Sequence, residues 1–165
     1  MKDNINSLWN IYNTVNEWIK FSDTKAAVVL ATNGVILSLF FSNIFNYIKI
    51  EQLTILIIIL IIIGTTAGLF SIIFAILCLV PNTNNYKLKS LIFFGDIAKF
   101  ESPEKYSDEV GKKLFNDLKR QISQEIWINS RIASNKYDNV SYSIKLLLIS
   151  ILFLIMPFVI KFLFK

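Results

Sequence analysis

At 165 residues the chain has the length of one domain, yet 54% of it is hydrophobic and its mean hydropathy is +0.53, more than a water-soluble domain of this size carries. It contains no histidine, which excludes serine triads, cysteine–histidine pairs, histidine-type zinc sites and histidine–aspartate phosphohydrolase chemistry together. The net charge of +5 does not signal a nucleic-acid partner, because residues 82–143 hold ten Lys/Arg against eight Asp/Glu and leave no basic stripe for a duplex. No enzyme, cofactor or metal is expected.

Residues 1–25 carry Ile5, Leu8, Trp9, Tyr12, Val15 and Ile19 at the three-and-four spacing of one helical face, which predicts a cytoplasmic amphipathic helix. The polar start, with Asp3, Glu17 and Asp23, argues against a cleavable signal peptide. Trp18 and Phe21 fall where an interfacial aromatic belt would hold them. Two charge-free runs follow, 23 residues from Ala26 to Ile48 and 28 from Leu53 to Val80, against the roughly 20 helical residues that cross a bilayer. They predict transmembrane helices over 26–48 and 53–80.

Thr32, Asn33, Ser38, Ser42, Asn43 and Asn46 give the first span a polar content that lipid alone disfavours, so these side chains face other helices or line a water path. Gly64 and Gly68 bracket a small-xxx-small pattern that lets backbones approach, either within the chain or between copies. Cys78, the single cysteine, is read as a small membrane residue.

Pro81 to Asn85 reads as a turn, and Leu91 to Asp96 as a short apolar stretch ended by glycine. Ser102-Pro103-Glu104 then sets an N-cap, a proline at the first helical position and an acid in the first turn. Val110, Leu114, Leu118, Ile122 and Ile126 continue a helix over about 103–140, within a cytoplasmic helical region of 82–142. The third span, 143–164, needs Lys145 and Lys161 to snorkel toward the headgroups. The expected fold is therefore all-α, three transmembrane helices with a small helical cytoplasmic region. Fourteen of the 17 Lys/Arg fall in residues 1–25, in 82–143 or at Lys145, which predicts a cytoplasmic N-terminus.

Three stretches put charged, aromatic and small residues together at membrane level: Trp18 to Ala27, Ser90 to Ala98, and Gln121 through Trp127 and Ser130 to Lys136. Their order, W-x(4)-D-x-K-A at Trp18, Asp23 and Lys25, N-G at Asn33, F-G-D-I-A at Phe94 and Asp96, Q-I at Gln121 and a later Ser130 and Lys136, resembles the Pycsar membrane effectors of the PycTM type over roughly residues 15–140. The resemblance implies an antiphage protein of the bacterial inner membrane. Its 82–142 region would sense a cyclic pyrimidine mononucleotide, cyclic UMP or cyclic CMP, made by a partner cyclase, and its helices would permeabilise the lipid bilayer and cause abortive infection.

A cyclic nucleotide offers one phosphate charge, a ribose hydroxyl and a flat base, so a site needs a cation, a carboxylate or amide, and an aromatic platform. Lys25 suits the phosphate, Asp23 or Asp96 the ribose or a base N–H, and Trp18, Phe94 or Trp127 the base face, with Gln121, Ser130 and Lys136 as further polar candidates. Three spans enclose no wide path, so a homo-oligomer is expected, with Asn33, Ser38, Asn43, Gly64 and Gly68 as pore-lining or helix-packing candidates. A non-enzymatic regulatory or structural subunit and a ligand-independent holin-like channel remain as alternatives.

Overall fold

The protein is described from a computed structural model, whose described residues are 2–47, 55–81, 90–112 and 115–163. The 49–52 hairpin, the turn beyond Pro81, and Lys87, Lys89 and Leu114 lie outside them. The described chain is helical without strands: α1 (Lys2–Tyr47), α2 (Ile55–Leu79), α3 (Phe94–Ile97), α4 (Pro103–Lys112) and α5 (Phe115–Leu163). α1, α2 and α5 are each long and apolar enough to cross a membrane. At 1.5 Å per residue the 46-residue α1 extends about 69 Å and the 49-residue α5 about 73 Å, more than twice the ~30 Å of bilayer hydrocarbon. Each therefore continues well beyond a membrane span.

The chain divides into two units, one of residues 1–20 and 82–134, the other of 21–81 and 135–165. The second is built inside out by the standards of a soluble protein. Along α2 the buried positions are Ile57, Gly64, Ala67, Gly68, Ser71, Ala75 and Cys78, nearly all small. Leu56, Ile59, Ile62, Leu69, Phe70, Ile73 and Leu77 face outward. Soluble monomers rarely present so continuous an apolar surface, whereas helices packed in lipid put small residues between themselves and large ones outside. This is a membrane protein.

Buried positions recur at alternating spacings of three and four: Ser22, Ala26, Val29 and Asn33 in α1, Ser71, Ala75 and Cys78 in α2, and Lys136, Val140, Ser143, Leu147, Ser150, Leu154 and Pro157 in α5. That period of 3.5 residues is the seam of left-handed helix packing. One end of the seam is filled by Phe40, Ile44, Ile57 and Leu154, with Phe158 edge-on to Phe40 at 6.0 Å. The notch at Gly64 holds Leu154, since a β-carbon there would stand 2.7 Å from its Cδ2. Gly68 faces Ser150 Oγ at 2.9 Å on the same measure. The small-xxx-small pattern thus packs α2 against α5 of its own chain.

In the first unit, α4 starts at Pro103 with Ser102 Oγ accepting from Lys105 N at 3.3 Å, which satisfies one of the helix's orphan donors. Asn129 Nδ2 donates to Asn16 Oδ1 at 2.9 Å and ties α5 to α1. Val15, Leu91, Ile122 and Ala133 are the unit's buried apolar side chains among the described residues.

Candidate functional site

The first unit contains a cavity of about 430 Å³ lined by Ile5 and Trp9 of α1, Leu91, Ile92 and Ile97, Tyr106 and Val110 of α4, and Leu118 and Ile122 of α5. Two apolar stripes legible in the sequence, that of the N-terminal helix and that running through Val110, Leu118 and Ile122, line this one space. Its volume is in the range of small-molecule sites.

A short segment, 90–97, forms one wall and is fixed by polar contacts. Asp96 is buried, and its Oδ2 accepts from Ser90 N at 3.0 Å while Oδ1 takes the Lys99 ammonium at 2.8 Å. Ser90 Oγ accepts from the backbone N–H groups of Ile92 and Phe93 at 3.2 and 3.1 Å, closing the turn into α3. Gln121 Oε1 accepts from Leu91 N at 3.0 Å, and the Tyr106 hydroxyl donates to Leu91 O at 2.9 Å. Both backbone groups of Leu91 are therefore held by side chains from α5 and α4. Gly95 lets the Phe93 ring lie close, since a β-carbon there would stand 2.6 Å from it and the ring would have to shift.

Of the nine nominated ligand residues, Trp18, Phe94, Asp96, Gln121, Trp127 and Ser130 belong to this unit. None of them lines the cavity. Asp96 and Gln121 position its wall, whereas Trp18, Phe94 and Trp127 are exposed, the last with the Arg131 guanidinium 5.1 Å above its ring. Ser130 Oγ donates to Ile126 O of its own helix. Sequence reasoning passed over Tyr106; its spacing to Val110 on one face of α4 was the available signal.

The other three belong to the membrane unit. Lys136 is buried, and its Nζ lies 2.5 Å from Asp23 Oδ1 on α1 and 2.5 Å from the carbonyl of Cys78 on α2. One ammonium joins all three membrane helices. Cys78 O is among the last carbonyls of α2, which lack intrahelical partners and carry the negative end of the helix dipole, so a cation is the fitting cap. Lys25 is exposed and lies 5.1 Å from the centre of the Tyr137 ring.

Of the residues marked for a pore or for packing, Asn33, Gly64 and Gly68 are buried between helices, and Ser38 and Asn43 are exposed. Asn33 Nδ2 donates to Ser71 Oγ at 2.8 Å. Ser71 and Ser143 donate to each other's carbonyl oxygens at 2.7 Å, a reciprocal clasp between α2 and α5. Among the described residues no group of three or more acidic or cysteine side chains is arranged to hold a metal ion.

No solved structure is significantly similar to this chain. The Pycsar effector protein SaPycTM of Staphylococcus aureus is 31% identical to it over 128 residues, 75% of each chain. The model of the Pycsar effector protein domain, PycTM, matches residues 7–163, reaching through both units. The chain belongs to the Pycsar effector family of transmembrane antiphage proteins.

Proposed function

We propose that this effector senses a cyclic pyrimidine mononucleotide, cyclic UMP or cyclic CMP, supplied by a partner cyclase, and responds by oligomerising and permeabilising the inner membrane. The observation that supports this most is the single family match across a unit with a ligand-sized cavity and a unit of three membrane helices. On this reading the N-terminus and residues 82–142 are cytoplasmic, consistent with the concentration of basic residues there. The base lies in the apolar cavity against Trp9, with Tyr106 as its polar neighbour. The phosphate, too costly to bury unpaired, stays at the surface, where Lys99, two residues beyond the 90–97 wall and paired with its Asp96, is the neighbouring cation.

The wall is what couples ligand to side-chain chemistry. Asp96 and Gln121 act by holding the backbone of Ser90 and Leu91, so truncating either loosens the cavity without removing a direct contact. Lys136 and Asp23 serve the membrane unit rather than the nucleotide, and Lys25 remains available at the head of the first span.

Calorimetric titration of detergent-solubilised protein with cyclic UMP, CMP, AMP and GMP tests the sensing step. Saturable binding of a pyrimidine nucleotide is expected, weakened about ten-fold by Asp96→Ala, the equivalent of ~1.4 kcal/mol. If none of the four binds, a ligand-independent channel or regulatory subunit is the better reading. Labelling of a cysteine at position 105 by an impermeant reagent from the periplasmic side would overturn the orientation.

A further inference from the structure

The interior of the membrane unit is more polar than helix packing requires. Ser22, Asn33, Ser71, Ser143 and Ser150 are all at most 1% exposed, and the last four, with Gly68, form a file contributed by α1, α2 and α5. Most of this file is satisfied by the Asn33–Ser71–Ser143 hydrogen bonds. Two atoms are not: Asn33 Oδ1 and Ser150 Oγ are buried without a hydrogen-bonding partner. Both point at the notch of Gly68, where a β-carbon would stand 2.9 Å from Ser150 Oγ and 3.7 Å from Asn33 Oδ1.

Inside a bilayer such atoms have no bulk water to turn to, and leaving them unpaired is costly. Alanine at 150 would remove that cost without touching any of these hydrogen bonds, whereas an apolar residue at 33 would also break the Asn33–Ser71 bond. The polar groups are therefore better suited to a form of the unit in which they meet water. Notched glycine, paired serines and an amide acceptor give that water donors and acceptors at successive turns.

We propose that the file Asn33, Ser71, Ser143 and Ser150 is the water-binding surface of the membrane unit, the face along which water and hydrated ions enter when the effector permeabilises the bilayer. The inference rests on the proposed function for its trigger, and it extends that reading from the first span to serines of the second and third. The outward Ser38 and Asn43 of α1 are not part of this surface.

The test uses full-length protein in proteoliposomes, with Cys78→Ala as background and single cysteines placed by Ser150→Cys or, as a lipid-facing control one helical face away, Leu152→Cys. A small charged methanethiosulfonate reacts with thiolate, which forms only where water reaches the sulfur. Labelling at 150 should be about ten-fold faster than at 152 and should accelerate with cyclic UMP or CMP. Labelling at 150 no faster than at 152, with or without nucleotide, overturns the proposal even if the liposomes leak. Fast labelling at 150 without any nucleotide effect keeps the water surface and instead contradicts the nucleotide trigger. A second variant guards against a folding artefact: Ser150→Ala, which breaks none of the Asn33–Ser71–Ser143 bonds, should keep thermal stability and nucleotide binding while lowering leakage about ten-fold. Unchanged leakage from this stable variant would also overturn the proposal.

Discussion

Replacing Lys136 by methionine keeps most of the aliphatic side chain and removes the ammonium that joins α1, α2 and α5. The ammonium is buried, with 9% of its side chain exposed, and contacts Asp23 Oδ1 and Cys78 O, each at 2.5 Å. Breaking a fully buried pair by removing one partner costs roughly 3–5 kcal/mol. Asp23, however, is 37% exposed, so its orphaned carboxylate keeps part of its hydration and the loss falls to about 2–3 kcal/mol. Asp23→Asn instead strands the buried ammonium, and it should be at least as damaging. Thermal or denaturant unfolding of both variants and of the double mutant in one detergent gives the coupling, expected at about 1–3 kcal/mol for groups in contact. A Lys136→Met loss below about 0.5 kcal/mol, or strictly additive single mutations, would refute the view that this ammonium ties the three helices.

Gly64 and Gly34 should separate cleanly. Gly64→Ala drives a methyl group into Leu154 and should cost about 1–2 kcal/mol net of the helix propensity it gains, whereas Gly34→Ala, with nothing within 4 Å, should be neutral or slightly stabilising in the same unfolding assay. At the start of α4, hydrogen bonding to Ser102, and secondarily to its own backbone N–H, holds the Glu104 carboxyl below its ordinary range. A depressed carboxylate stabilises the fold above its unfolded pKa, and that contribution is lost as pH falls through the folded value. The first turn of α4 should therefore loosen only in acid, and Ser102→Ala should return the Glu104 titration toward normal when followed by NMR.

The elements that depend on local pattern were legible from the residues. Three apolar runs, the three-and-four stripe of the N-terminal helix and the Ser102-Pro103-Glu104 start all appear in the structure as helices or their ends. What pairs with what was not legible, because those contacts join residues far apart in the chain. Lys136 and Asp23 stood out as separate charges at membrane level; that they meet each other and Cys78 O is a consequence of the seam, not of either local sequence. Gly64 and Gly68 announced a close approach without naming α5 as the partner. Asp96 and Gln121 were nominated as ligand contacts; that they also brace the wall beside the cavity was not legible, since a carboxylate or amide reads the same in sequence whether or not it holds a backbone N–H. The serines at 71, 143 and 150 were hidden among apolar neighbours, although their spacing places them on the 3.5-residue seam.

The central claim is that a cyclic pyrimidine nucleotide turns a quiet membrane protein into a permeabilising assembly. A ligand can do this only by binding the assembled form more tightly, and moving an equilibrium from 1:99 to 99:1 takes a preference of about 10⁴-fold. Proteoliposomes loaded with a fluorescent dye, with cross-linking before and after addition of cyclic UMP or cyclic CMP, measure both halves at once. The account predicts dye release together with a shift to cross-linked oligomers, at nucleotide concentrations where purine cyclic nucleotides do neither. Saturable nucleotide binding with no change in leakage or oligomer size would contradict it.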